Sequence, residues 1–112
     1  MFEYSNPRKS LTVTDWPYGK FRTTATFEIE STKRGERAVR TTINPKNGRV
    51  NKPKKTTYSL KTRIVDGPDN RTYIARLTEF GFISFTQSDL QHDAGNIHPK
   101  DEHYAEALAL FD

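Results

Sequence analysis

Between Arg37 and Val65 the chain carries nine cations, Arg37, Arg40, Lys46, Arg49, Lys52, Lys54, Lys55, Lys61 and Arg63, and no Asp or Glu. Side chains of this type in so dense a run can neutralise the phosphates of a polyanion and release the counterions condensed on it. The rest of the chain strengthens the asymmetry. Residues 1–76 hold 17 Lys and Arg against 7 Asp and Glu, a balance of +10, and residues 77–112 hold 1 Lys against 7 acids, a balance of −6. The formal net charge of +4 thus conceals two regions of opposite sign. The nine cations are therefore the expected contacts of a non-enzymatic domain that binds nucleic acid, DNA or RNA, through the phosphate backbone. The bland counterpart is a solubilising surface whose lysines blunt a sheet edge. The alternative function is a protein-binding module, an adaptor or inhibitor of viral or mobile-element type, docked on an acidic partner surface. Pairing of the basic region with the acidic region of a second copy would give a homo-oligomer.

Aromatic side chains could add stacking on unpaired bases. Trp16 and Tyr18 lie in a turn-like segment beside Lys20 and Arg22, a combination suited to stacking or to a protein hot spot. Trp16 folding back to close one end of a sheet is the structural reading. The run Phe80-Gly81-Phe82-Ile83-Ser84-Phe85 resembles the aromatic core of the ribonucleoprotein octamer of RNA-recognition motifs and cold-shock domains. That resemblance implies that Phe80 and Phe82 stack on bases while Ile83 and Phe85 face the core. It covers six residues of 112, and Thr78-Glu79 stands where the octamer opens with Lys/Arg-Gly. A buried strand in a core short of aliphatics is the simpler explanation of the run.

Other chemistry is thinly represented. His92, Asp93, His98, Asp101 and His103 crowd into twelve residues, and all could ligate a divalent metal. Their spacing matches no recurrent zinc pattern, so no metal or other cofactor is assigned. The chain has no cysteine, which excludes disulfides and cysteine nucleophiles and suits a cytoplasmic protein, or the host-cell interior if viral. There is no glycine-rich phosphate loop and no Gly-x-Ser-x-Gly elbow. Glu28 and Glu30, two apart on a strand, are an ordinary surface pair before they are an acid and base. No catalytic residue is assigned. No apolar run approaches the roughly 18 residues of a membrane span, and Met1–Leu11 lacks the apolar stretch of a secretory signal.

The elements that must position these residues are mostly strands. Apolar content is 33% and aromatics make up 12%, so a thin core leaning on aromatics is expected in one domain spanning 1–112. Phe21, Thr23, Ala25, Phe27 and Ile29 alternate with polar residues, as in a half-buried strand. A hairpin turn at 32–36 leads to a second strand, 37–43, which projects Arg40 outward. Asn44-Pro45 and Asn47-Gly48 are turn signals that open a basic loop over 44–55. Tyr58, Leu60, Thr62 and Ile64 form the inner face of a strand whose outer face carries Lys61 and Arg63. Tyr73, Ala75 and Leu77 share a face of the next strand, and the aromatic run 80–85 follows. Residues 1–9 are expected to be flexible and 87–100 to be loop. Tyr104, Ala107, Leu108 and Phe111 fall at helical spacing within a helix over 101–111. The expected architecture is mainly β: a five- or six-stranded antiparallel sheet or small open barrel with one C-terminal helix.

Overall fold

The computed structural model describes residues 1–18 and 21–112, with Tyr18 and Phe21 described through their backbone alone. In chain order the strands are β1 (Ser5–Arg8), β2 (Ser10–Tyr18), β3 (Phe21–Thr32), β4 (Gly35–Thr42), β5 (Lys54–Lys55), β6 (Lys61–Asp66), β7 (Thr72–Leu77), β8 (Ile83–Gln87) and β9 (Asp93–Ile97). Helix α1 (Tyr104–Ala109) follows. The strands form two antiparallel sheets, ordered β1-β6-β7-β8-β9 and β2-β3-β4-β5. The chain is mainly β with one C-terminal helix, as its periodicity predicts, and its strands divide between two sheets with no closed barrel.

Period-two alternation builds the four-stranded sheet. Thr23, Ala25 and Phe27 of β3 are buried, as are Ala38, Arg40 and Thr42 of β4, while the residues between them reach the other face. Thr32 pairs with Gly35 across the two-residue turn Lys33-Arg34. Glycine is required there on two counts. Its φ is +118°, and a Cβ would lie 2.1 Å from the carbonyl oxygen of Ser59. The close approach has a purpose: Glu36 N donates to Ser59 O at 2.8 Å and Ser59 N donates to Glu36 O at 2.9 Å. These two bonds tie the start of β4 to the segment that enters β6, and so join the sheets.

The five-stranded sheet is covered on both faces, giving three layers. Ile64 and Ile74 face Ala25, Phe27 and Ala38 of the other sheet. Val65, Tyr73, Ala75, Ile83 and Phe85 face the opposite way, onto Ala107, Leu110 and Phe111 at the helix. Phe2 and Tyr4 pack on this second core, with the Tyr4 and Phe85 rings stacked at 3.9 Å. Tyr104 Oη fixes the helix start by donating to Gly81 O at 2.6 Å.

Five elements differ from the expectations. Residues 5–8, expected to be flexible, form β1, which pairs with β6 and is held by Arg8 on Asp66 at 2.7 Å. Trp16 and Tyr18, expected in a turn, lie on β2, which runs on to Tyr18 across a register shift between Val13 and Trp16, because a bulge absorbs the polar break. Residues 93–97, expected as loop, form β9 on β8. All but Ile97 of its side chains are exposed, so no apolar alternation marks it. The aromatic run enters its strand only at Ile83, with Phe80–Phe82 in the preceding turn, and the helix is confined to 104–109.

Candidate functional site

The basic segment is not the free finger that its prolines and glycine imply. Asn44 N donates to Arg49 O at 2.7 Å, and Gly48 N donates to Asn44 O at 2.9 Å. The Asn44 and Asn47 side chains accept from Lys46 N and Arg49 N, each at 2.9 Å, in the way Asx turns close on their own backbone. Farther on, Asn51 grips Thr42 through both its backbone amide and its side chain. Lys54 and Lys55 pair with Arg40 and Val39 as β5. Thr56 then exchanges bonds with Ala38, donating its amide to Ala38 O and accepting from Ala38 N. The segment is thus a ribbon laid along the edge of the four-stranded sheet. It presents Lys46, Arg49, Lys52, Lys54 and Lys55, all exposed.

The other four cations of the run lie elsewhere. Arg40, expected on the outer face, is buried on the inner one, over the Trp16 ring at 4.7 Å and donating to Ser88 O at 3.0 Å. Arg63, also expected outward, is buried because α1 covers the face that the alternation leaves for solvent. Its guanidinium meets Glu36 at 2.9 Å and donates to Thr62 O and to Phe111 O. Arg37 is half-buried, ion-paired to Glu30 and 4.5 Å above the Tyr58 ring. The Arg37 hydrogen bond holds the Glu30 carboxyl below its ordinary range, and Lys55 adds to the effect. Lys61 is exposed but reaches toward Phe111 O at 3.4 Å, at the end of the helix.

The aromatic candidates also separate. Trp16 is half-buried and packs on the core between the sheets, with the Arg40 guanidinium over its ring. The Tyr18 side chain lies outside the described residues. Phe80 is 79% exposed, and Phe82 sits beside it with the ring planes only 8° apart.

Sequence reasoning passed over the residues around Arg76. The segment from Thr56 to Leu60 crosses from one sheet to the other, and two clefts flank it. One, of about 320 Å3, is lined by Arg34, Tyr58, Ser59, Arg76, Glu79 and Phe80 among others. The second, of about 300 Å3, is lined by Lys55, Thr57, Arg76, Gln91 and Asp93 among others. Arg76 borders both. Its Nη1 donates to Thr57 Oγ1 at 2.6 Å and to Ser59 Oγ at 3.3 Å. Burial pushes its pKa below the ordinary guanidinium value, with Asp93 acting in the other direction. Only the position of Arg76 on a strand was readable in advance; its place between two clefts depends on the crossing segment.

The histidines have separate neighbours. His92 meets Asp89, His98 lies against Phe82 at 5.4 Å, and His103 sits between Glu102 and Glu106. Among the described residues no three metal-ligating side chains converge, and no helix is long and apolar enough to cross a membrane. No protein family, curated protein or solved structure matches the chain.

Proposed function

We propose that this chain is a non-enzymatic nucleic-acid-binding domain that grips the phosphate backbone with the ribbon from Lys46 to Lys55. The observation that supports this most directly is the ribbon itself: five exposed cations, no carboxylate within it, and a backbone pinned at both ends. Pinning matters because ordering a loose loop on binding would cost entropy at every residue. Arg40 and Arg63, which serve the core, are not among the contacts. Readout of base sequence is weak on this view, because phosphate contacts position a protein without carrying sequence information.

The test is a salt series of binding to labelled DNA and RNA, duplex and single-stranded. Each phosphate neutralised adds about 0.7 to 0.9 to the slope of log affinity against log salt. Five contacts give a slope of roughly −3.5 to −4.5, and a Lys52→Ala/Lys54→Ala/Lys55→Ala variant flattens it by about 2 to 3. Absent or salt-insensitive binding to every one of these nucleic acids overturns the proposal.

A second reading has one observation in its favour. Ile43 and Val50 are exposed apolar residues that bridge to each other beside the cations of the ribbon. Apolar anchors inside a charged rim are the anatomy of a protein interface. Capture of an acidic protein that persists after nuclease digestion would favour this protein-binding reading.

A further inference from the structure

Arg8, Arg37 and Arg63 each meet a carboxylate: Asp66, Glu30 and Glu36 respectively. Arg76 is also partly buried, yet among the described residues no carboxylate lies within ion-pair distance of it, and Asp93, on the second cleft, acts on it only from farther off. Its contacts are the hydroxyls of Thr57 and Ser59. A guanidinium taken out of bulk water with no carboxylate in direct contact leaves room for an anion to complete it. Arginine's planar fork suits the oxygens of a phosphate. Arg34 lines the same cleft and Glu79 opposes the pair, leaving two cations to one anion.

The same cleft is lined by Phe80, whose ring is largely in solvent and runs nearly parallel to that of Phe82. An exposed flat ring beside a guanidinium is the arrangement on which unpaired bases stack. A base within a duplex has both faces covered by its neighbours and offers nothing to such a ring. The cleft, at about 320 Å3, is at the small end of the range for small-ligand sites. We propose that it takes one nucleotide of a single-stranded nucleic acid, the phosphate on Arg76 and the unpaired base against Phe80. The strand continues past Arg76 into the second cleft, where Lys55, the last residue of the ribbon, and Arg76 face one anion, Asp93. This rests on the nucleic-acid reading and narrows it to single strands.

The test is fluorescence anisotropy with labelled oligothymidylate and a duplex of equal length, at one salt concentration. Phe80→Ala should weaken oligothymidylate binding on the order of tenfold and leave the duplex within about twofold. Phe80→Trp should retain the single-strand affinity. Arg76→Gln should weaken the single strand and flatten its salt slope by about 0.7. If that variant fails to fold, the Phe80 pair carries the test alone, because Phe80 is exposed. The groove assignment falls if Phe80→Ala leaves oligothymidylate unchanged, or weakens the duplex equally. It also falls if polyglutamate displaces the oligothymidylate at equal charge concentration, since an acidic peptide would then be the ligand. Loss of both nucleic acids in the Lys52→Ala/Lys54→Ala/Lys55→Ala variant, with Phe80→Ala silent, would leave the ribbon proposal standing and remove this one. Wild-type protein that binds neither nucleic acid overturns both.

Discussion

Replacing Glu36 with alanine tests whether Arg63 belongs to the core or to a binding surface. The two side chains are only 15% and 10% exposed, and Arg63 Nη1 lies 2.9 Å from Glu36 Oε1. The same carboxylate oxygen accepts from Thr62 N at 2.9 Å. Glu36→Ala therefore strands a buried guanidinium and a buried amide together. Breaking one side of a buried pair costs about 3–5 kcal/mol. For a chain of this size each 1 kcal/mol moves the melting temperature by about 4–8 °C, so a loss of roughly 12–40 °C is expected. Glu36→Gln keeps an acceptor for Thr62 N and should lose only part of this, since hydrogen bonds to charged groups exceed neutral ones by about 1–2 kcal/mol. Removing both charges in Glu36→Leu/Arg63→Met should restore the share owed to the stranded guanidinium, because apolar replacement of a buried pair is often neutral or favourable, while the Thr62 amide stays without its acceptor. Urea denaturation with matched m-values reads all three variants on one scale. A Glu36→Ala cost below about 1 kcal/mol, the range of exposed pairs, would refute the reasoning, because water would then be reaching Arg63. Nucleic-acid affinity of the folded double variant should equal that of the wild type.

Gly35→Ala should cost more than the roughly 1 kcal/mol of an ordinary strained glycine site, because φ there is +118° and the new Cβ meets a backbone oxygen rather than a movable side chain. Faster hydrogen exchange at the Glu36 and Ser59 amides is the signature, and unchanged exchange would contradict it. Acid should selectively weaken the anchor of β1. The Asp66 carboxyl is held below its ordinary value first by the Arg8 hydrogen bond and then by Asn6. A carboxyl lowered on folding contributes stability above its unfolded pKa and loses that contribution as pH falls through the lower folded value. The gap in melting temperature between wild type and Asp66→Asn should close as pH drops from neutrality to about 2; a gap that persists unchanged would remove the ion pair from the account.

The strands with an apolar face were legible because burial enforces alternation. Phe27 and Ala25 on β3, and Tyr73, Ala75 and Leu77 on β7, sit where period two puts them. Alternation cannot say whether the second face is covered as well. Arg63 therefore looked like a surface cation until α1 and Glu36 were seen to enclose it, and Arg40 until Trp16 was seen beneath it. β9 escaped notice for the converse reason, since an edge strand of exposed polar residues has nothing to alternate. The ribbon was legible as charge but not as shape. Its rigidity depends on Asn44, Asn47, Asn51 and Thr56 finding particular backbone groups, and only the turn-forming tendency of the first two is local. Arg76 lay on a strand with its neighbours unremarkable; the clefts beside it exist only once the segment 56–60 crosses between sheets.

The placement of β1 has a consequence for how the molecule comes to be made. β2, β3 and β4 form successive hairpins whose contacts are near in sequence, so that sheet can assemble as soon as its residues leave the ribosome. β1 precedes them all, yet Ser5 and Arg8 pair only with Asp66 and Ile64. Closing a loop of that length costs about 3–4 kcal/mol by the (3/2)RT ln n rule before its constant is added. Nor can the closure begin until β6 exists. β1, made ahead of β2 to β4, thus waits for β6 before it can dock, and until then β6 shows an open edge on the side away from β7, the interval in which the nascent chain is most exposed to pairing with a neighbour.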